Sequence, residues 1–158
     1  LDKNQKSGRM LDHIRMYLSG QILPPPIAQL IGFKMVSVEE GEAVVEFEAT
    51  ERHSNPMGTL HGGVLCDIAD AAMGMAYASL LGPGETFTTL ELKINFLKPI
   101  WSGKLRAVGR VVKRRGTAGL VECNVIDEDG QLVARASSTC MTLKGRQANG
   151  RELADGGP

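Results

Sequence analysis

The chain has 158 residues and a mass of 17.0 kDa, room for one ordinary domain whose core stands without staples. Hydrophobic residues make up 42% and charged residues 23%; Lys+Arg 18 against Asp+Glu 18 leaves no net charge, which disfavours a general nucleic-acid binder. Gly, Asp or Lys interrupts every apolar stretch before the about 18 residues that a membrane span needs, so no membrane partner is expected.

Residues 1–8 read as a polar leader without the apolar core of a secretory signal. Over residues 9–19, Met10, Leu11, Ile14, Tyr17 and Leu18 fall on one helical face. Pro24-Pro25-Pro26 blocks that helix, and residues 27–31 predict one short turn closed by Gly32. Strands are expected over 33–38 and 42–50. In the second, Ala43, Val45, Phe47 and Ala49 alternate with Glu42, Glu46 and Glu48. A loop at Ser54-Asn55-Pro56-Met57-Gly58 precedes one long helix, 61–81, ended by Gly82-Pro83-Gly84. Its apolar and small residues cover most of the circumference, so it is expected to be buried on nearly all sides.

Everything beyond reads as strand. Leu90, Leu92, Ile94 and Phe96 alternate with Glu91, Lys93 and Asn95. Leu105, Ala107 and Val111 alternate with Lys104, Arg106 and Arg110, and Val121, Cys123 and Val125 with Glu122 and Asn124. Asp129-Gly130 turns the chain into a last strand, and residues from Gly145 onward read as a disordered tail. The plan is a leader and helical extension over 1–32, one domain over 33–144 and a tail over 145–158. The class is α+β, an antiparallel sheet wrapped around one long central helix.

The chemistry concentrates in Asn55-Pro56-Met57-Gly58-Thr59-Leu60-His61-Gly62-Gly63, continuing into Asp70. Gly62 and Gly63 open the long helix, where backbone N–H groups have no intrahelical partner and the dipole favours negative charge, an oxyanion site for a carbonyl. The bland alternative is a tight loop-to-helix junction. Asp70 is a carboxylate among Ile68, Ala71, Ala72 and Met73, with Asp67 its rival three residues earlier. Asp70 follows His61 by nine residues, about 13 Å of rise and half a turn out of phase. One subunit therefore cannot bring both to one reacting carbon, whereas two antiparallel helices from two subunits can.

This motif resembles that of the hot-dog thioesterases of the phenylacetate-pathway and 4-hydroxybenzoyl-CoA type, and the likeness runs from Gly41 to Leu143, including Asn95-Phe96-Leu97-Lys98-Pro99. The resemblance implies a hot-dog fold and hydrolysis of an acyl-CoA thioester without cofactor or metal. It implies Asn55, His61 and Gly62 from one chain and Asp70 from its partner, in a homodimer or a dimer of dimers. It further implies that Thr88, eighteen residues beyond Asp70, helps hold the attacking water; a strand-forming Thr beside Thr86 and Thr89 is the plain alternative. Lys113, Arg114 and Arg115 end a basic stretch and are expected to seat the phosphates of coenzyme A.

Weaker patterns fall away. No Gly-x-Ser-x-Gly elbow positions a serine, and Cys66 is poorly placed against His61 on one helix. His53 and His61 lack metal-site spacing. Cys66, Cys123 and Cys140 lack any Cys-x-x-Cys and read as reduced cysteines of a cytoplasmic protein. A silent acyl-CoA-binding module on the same fold is the alternative function.

Overall fold

The computed structural model describes residues 9–151. The elements, in order, are α1 (Met10–Leu18), α2 (Pro26–Ile31), β1 (Phe33–Glu39), β2 (Glu42–Ala49), α3 (Gly62–Ala78), β3 (Thr86–Phe96), β4 (Gly103–Arg115), β5 (Ala118–Asp127) and β6 (Leu132–Leu143). The strands form one antiparallel sheet in the order β1-β2-β4-β5-β6-β3 around α3, so the sheet around one long helix that the periodicities predict, and the hot-dog fold that the resemblance implies, are observed. Ile68, Ala72, Met73, Ala76 and Tyr77 of α3 pack on Val45, Leu105, Val121, Val125 and Val133 of the strands. Gly109 permits the close approach of helix and sheet: a Cβ there would lie 2.5 Å from the Ala72 carbonyl group.

The N-terminal extension lies on β1 beside α3, at the sheet edge opposite β3. Leu11 and Ile14 enter the core, and Arg9 and Arg15 pair with Glu40 and Glu39. His53 ties the extension down: its Nδ1 accepts from the Thr50 N–H (3.1 Å) and its Nε2 meets the Ile31 carbonyl (3.1 Å).

Three expectations need correction. First, α3 is not buried on nearly all sides: Gly63 and Asp70 are exposed and Cys66, Asp67 and Ala71 half-buried, because the sheet covers only one side of it. Second, the tail is ordered as far as Arg151. Gly145–Ala148 forms a 3₁₀ turn, and the Arg151 carbonyl accepts from Thr86 Oγ1 at 2.9 Å. The leader 1–8 and the tail end 152–158 lie outside the described residues. Third, the alternation in β3 and β4 is broken by bulges. The register of β3 against β6 shifts between Thr89 and Glu91, and that of β4 against β5 between Val111 and Lys113. Each bulge reverses which parity of residues faces the helix. Leu90, expected inside with Leu92 and Ile94, is 55% exposed.

Candidate active site

His61 is the N-cap of α3, and its Nδ1 accepts from the Gly63 N–H at 2.9 Å. That bond places the ring proton on Nε2 and leaves this N–H as an outward donor on an exposed side chain. It also engages the Gly63 N–H, so of the two glycines only Gly62 presents a first-turn donor without a partner from the cap. Both glycines lie against neighbouring side chains. A Cβ on Gly63 would lie 2.9 Å from His61 Nδ1, and one on Gly62 would lie 2.8 Å from the Cζ of Phe96.

Asn55 is spent on its own loop. Its Oδ1 accepts from the backbone N–H groups of Met57 (2.9 Å) and Thr59 (3.2 Å), and its Nδ2 donates to Thr59 Oγ1 (2.8 Å). The loop meets α3 through the His61 N–H, which donates to the His53 carbonyl at 2.9 Å. Asn55 thus shapes the turn that delivers His61, and one amide hydrogen remains beyond the bond to Thr59.

Asp70 sits on the uncovered stripe of α3 and accepts from Thr89 Oγ1 at 3.1 Å. The hydroxyl that meets Asp70 is that of Thr89, whereas the expected Thr88 is turned by the pleat to the other face. An unbroken alternation with Leu92, Ile94 and Phe96 does bring Thr88 to the helix side. The bulge at Leu90 substitutes Thr89, and no residue type at Leu90 announces it. Asp67, one turn earlier, is half-buried. Burial first, and then the charge of Asp70, pushes its carboxyl above the ordinary range. Burial and the same two carboxylates also push the Cys66 thiol up, so it is a poor nucleophile. Burial takes Cys123 to about 12.

Two open surface depressions, one lined by Ser54, Gly58 and Trp101 and the other by Pro99, Trp101 and Asp127, include none of His61, Gly62 or Asp70. Within one protomer Asp70 and the start of α3 remain apart, and no metal-binding cluster occurs among the described residues.

A model of the thioesterase superfamily matches residues 57–134. The 1,4-dihydroxy-2-naphthoyl-CoA hydrolase of Listeria monocytogenes is 31% identical over 121 residues, 77% of this chain and 98% of that protein. The acyl-coenzyme A thioesterase PaaI of Escherichia coli is 28% identical over 108 residues, 68% of this chain and 75% of that protein. The chain belongs to the thioesterase superfamily. Its activity is thioester hydrolysis. The solved E. coli PaaI structure has a TM-score of 0.76 to it at 23% identity, covering 89% of this chain and 98% of that one, a likeness of fold.

In this thioesterase the basic stretch is divided by the bulge in β4. Arg106 and Arg110 face outward and pair with Glu46 and Glu42 of β2. Lys113 and Arg115 are exposed, while Arg114 turns inward beneath the C-terminal end of α3. Its guanidinium donates to the Leu80 carbonyl (2.7 Å), to Glu85 Oε2 (3.2 Å) and to Thr142 Oγ1 (3.2 Å), and lies 5.6 Å from the Tyr77 ring centroid. Three of the five guanidinium N–H groups are thereby spent within the fold. No helix among the described residues is long and apolar enough to cross a membrane.

Proposed function

We propose that this chain hydrolyses acyl-CoA thioesters, with Asp70 activating the attacking water and the thioester carbonyl held on the Gly62 N–H of a partner subunit. The observation that carries the reading is the Asp70–Thr89 pair. It is an exposed carboxylate aimed by a hydroxyl, on the stripe of α3 that the sheet leaves uncovered. Thr89 occupies Oδ1, which leaves Oδ2 to accept a proton from water as hydroxide character develops at the carbonyl carbon. Developing charge on the carbonyl oxygen falls to the Gly62 N–H, the helix dipole and the Nε2–H of His61. The thiolate of coenzyme A leaves and takes up the proton. Asn55 acts by holding the loop that presents His61 and Gly62.

Two features support a composite site. Asp70 and Gly62 are about 12 Å apart along one helix, too far to act on one carbon. Within the protomer β3 runs antiparallel to α3, with Thr89 beside Asp70 and Phe96 beside Gly62. A two-fold axis that sets Asp70 against the partner subunit's Gly62 also lays the two β3 edges side by side, antiparallel, with Leu92 and Lys93 at the centre. β3 ends the sheet and its outer edge is free to pair. The same antiparallel packing brings the C-terminal end of one α3, with Lys113 and Arg115, towards the other subunit's site. These two side chains are the proposed contacts for the phosphates of coenzyme A, with Arg114 and Thr88 withdrawn from the set. The functional unit is a homodimer or a dimer of dimers of a cytoplasmic enzyme.

Release of free thiol from a panel of CoA esters tests the reading, with enoyl-CoA absorbance followed in parallel. Binding without thiol release identifies a silent acyl-CoA module. Loss of absorbance without thiol identifies a hydratase. An active monomer in solution overturns the composite site.

A further inference from the structure

Phe96 is the last residue of β3 and its ring lies on the first residue of α3. A Cβ placed on Gly62 would meet Phe96 Cζ at 2.8 Å and both Cε atoms at 3.2 Å. Yet Phe96 remains 55% exposed. A large apolar side chain in that position has one face seated on the helix start and the other uncovered, next to the N–H proposed to hold the carbonyl. We infer that Phe96 is a specificity-determining residue, the wall against which the acyl group lies. The inference rests on the Gly62 N–H being the carbonyl donor.

The parity of β3 aims the ring there. The bulge at Leu90 restores Leu92, Ile94 and Phe96 to the helix side after Phe87 and Thr89 have faced it. The backbone beyond the ring is held as well. The Leu97 and Lys98 N–H groups both donate to the Val133 carbonyl, at 2.9 and 3.1 Å, and Lys98 Nζ bonds Asp127 and Gln131. The strand end that carries the ring is thus held in place before substrate arrives, which favours selectivity by shape. The ring thus flanks the residue whose N–H the carbonyl oxygen would approach. Of the two groups on that carbon, the pantetheine arm carries amides that need hydrogen-bond partners. The acyl group carries hydrocarbon, and a bare ring face suits it.

The test compares kcat/KM for acetyl-, hexanoyl- and benzoyl-CoA in the wild type, Phe96→Ala and Phe96→Leu. Removing the wall is expected to cost hexanoyl- and benzoyl-CoA about 10–100-fold, while acetyl-CoA changes by less than about threefold, as loss of apolar contact to the larger groups requires. Phe96→Leu keeps apolar bulk without a flat face, so it is expected to spare hexanoyl-CoA and lose benzoyl-CoA. If Phe96→Ala does not fold by circular dichroism, the contrast between hexanoyl- and benzoyl-CoA in Phe96→Leu decides. An equal factor across all three esters in a folded variant overturns the inference and leaves the hydrolase reading intact. A wild type that releases thiol from none of the esters removes both.

Discussion

At the C-terminal end of α3 nearly every polar group is matched. The Arg114 guanidinium covers the Leu80 carbonyl, Glu85 Oε2 accepts from the Gly82 N–H at 3.0 Å, and Lys144 closes on Glu85 Oε1. Tyr77 Oη meets Thr142 Oγ1 at 2.8 Å, and Ser79 Oγ donates to the Ala76 carbonyl at 2.7 Å while accepting from the Gly41 N–H at 2.8 Å. At the N-terminal end the first-turn N–H of Gly62, the Nε2–H of His61 and the outer face of Phe96 are left for something else. One helix thus has an end whose polar groups are matched within the fold and an end that presents unmatched ones. Substitutions at the open end should change rates. Those at the closed end should change stability.

The largest effect is expected at Asp70. Asp70→Asn keeps the shape and removes the proposed base, so kcat should fall by about 10²–10⁴, or about 3–5 kcal/mol of barrier, with little change in Tm. Asp67→Asn removes a half-buried carboxylate held above its ordinary range, and should leave kcat within a few-fold of wild type. If the Asp67 variant is the inactive one, the wrong carboxylate has been chosen. In mixed dimers of Asp70→Asn and Asn55→Ala subunits, one site of the two keeps both residues, so part of the activity should return.

Arg114→Ala should do the reverse. It leaves Leu80 O and Glu85 short of a partner and uncovers Tyr77, which should cost about 2–3 kcal/mol and lower Tm by roughly 5–10 °C. KM for acyl-CoA should not move. A raised KM with unchanged Tm would return Arg114 to the phosphate contacts.

Between these two lies what the amino-acid sequence can and cannot show. Alternating strands and one apolar helix are legible, because side-chain period follows directly from backbone geometry. The His61-Gly62-Gly63 start and Asp70 are legible because their residue types are costly without a reason. The bulges are not. Leu90 and Val112 are ordinary strand formers, and the extra residue each inserts is set by the partner strand rather than by local propensity. One bulge exchanges Thr88 for Thr89 beside Asp70. The other turns Arg114 inwards and leaves Lys113 and Arg115 outside. The seating of Phe96 on Gly62 has no local signature either.

Acid should probe the closed end through Glu85, alongside Asp127, whose carboxyl the Lys98 bond holds below its ordinary range. The Lys144 bond first, then the Gly82 N–H and Arg114, hold the Glu85 carboxyl at about 2 instead of 4.5. A depressed value means the stabilisation is present above pH 4.5 and is lost as pH falls towards 2. With Lys144 exposed and screened by solvent, about 1–2 kcal/mol is at stake. Urea melts between pH 7 and 2.5 should show a steep acid limb that flattens in Glu85→Gln. An identical limb in the variant would assign the loss to other carboxylates.

The smallest effect is expected from the pair that the bulge leaves outside. Lys113 and Arg115 are exposed, so each contact with a phosphate forms in high dielectric and is worth about 0.3–1 kcal/mol. Replacing both by Ala should raise KM for acyl-CoA about 3–10-fold and leave kcat alone, because a distant phosphate is bound equally in the ground and transition states. The increase should fade as salt rises towards 0.5 M, where the Debye length drops to about 4 Å. It should vanish with an acyl-pantetheine that lacks the nucleotide. An equal rise in KM for both substrates would mean that these two cations face something other than coenzyme A. A fall in Tm would mean that the bulge in β4 does not divide the basic run into a structural arginine and free neighbours.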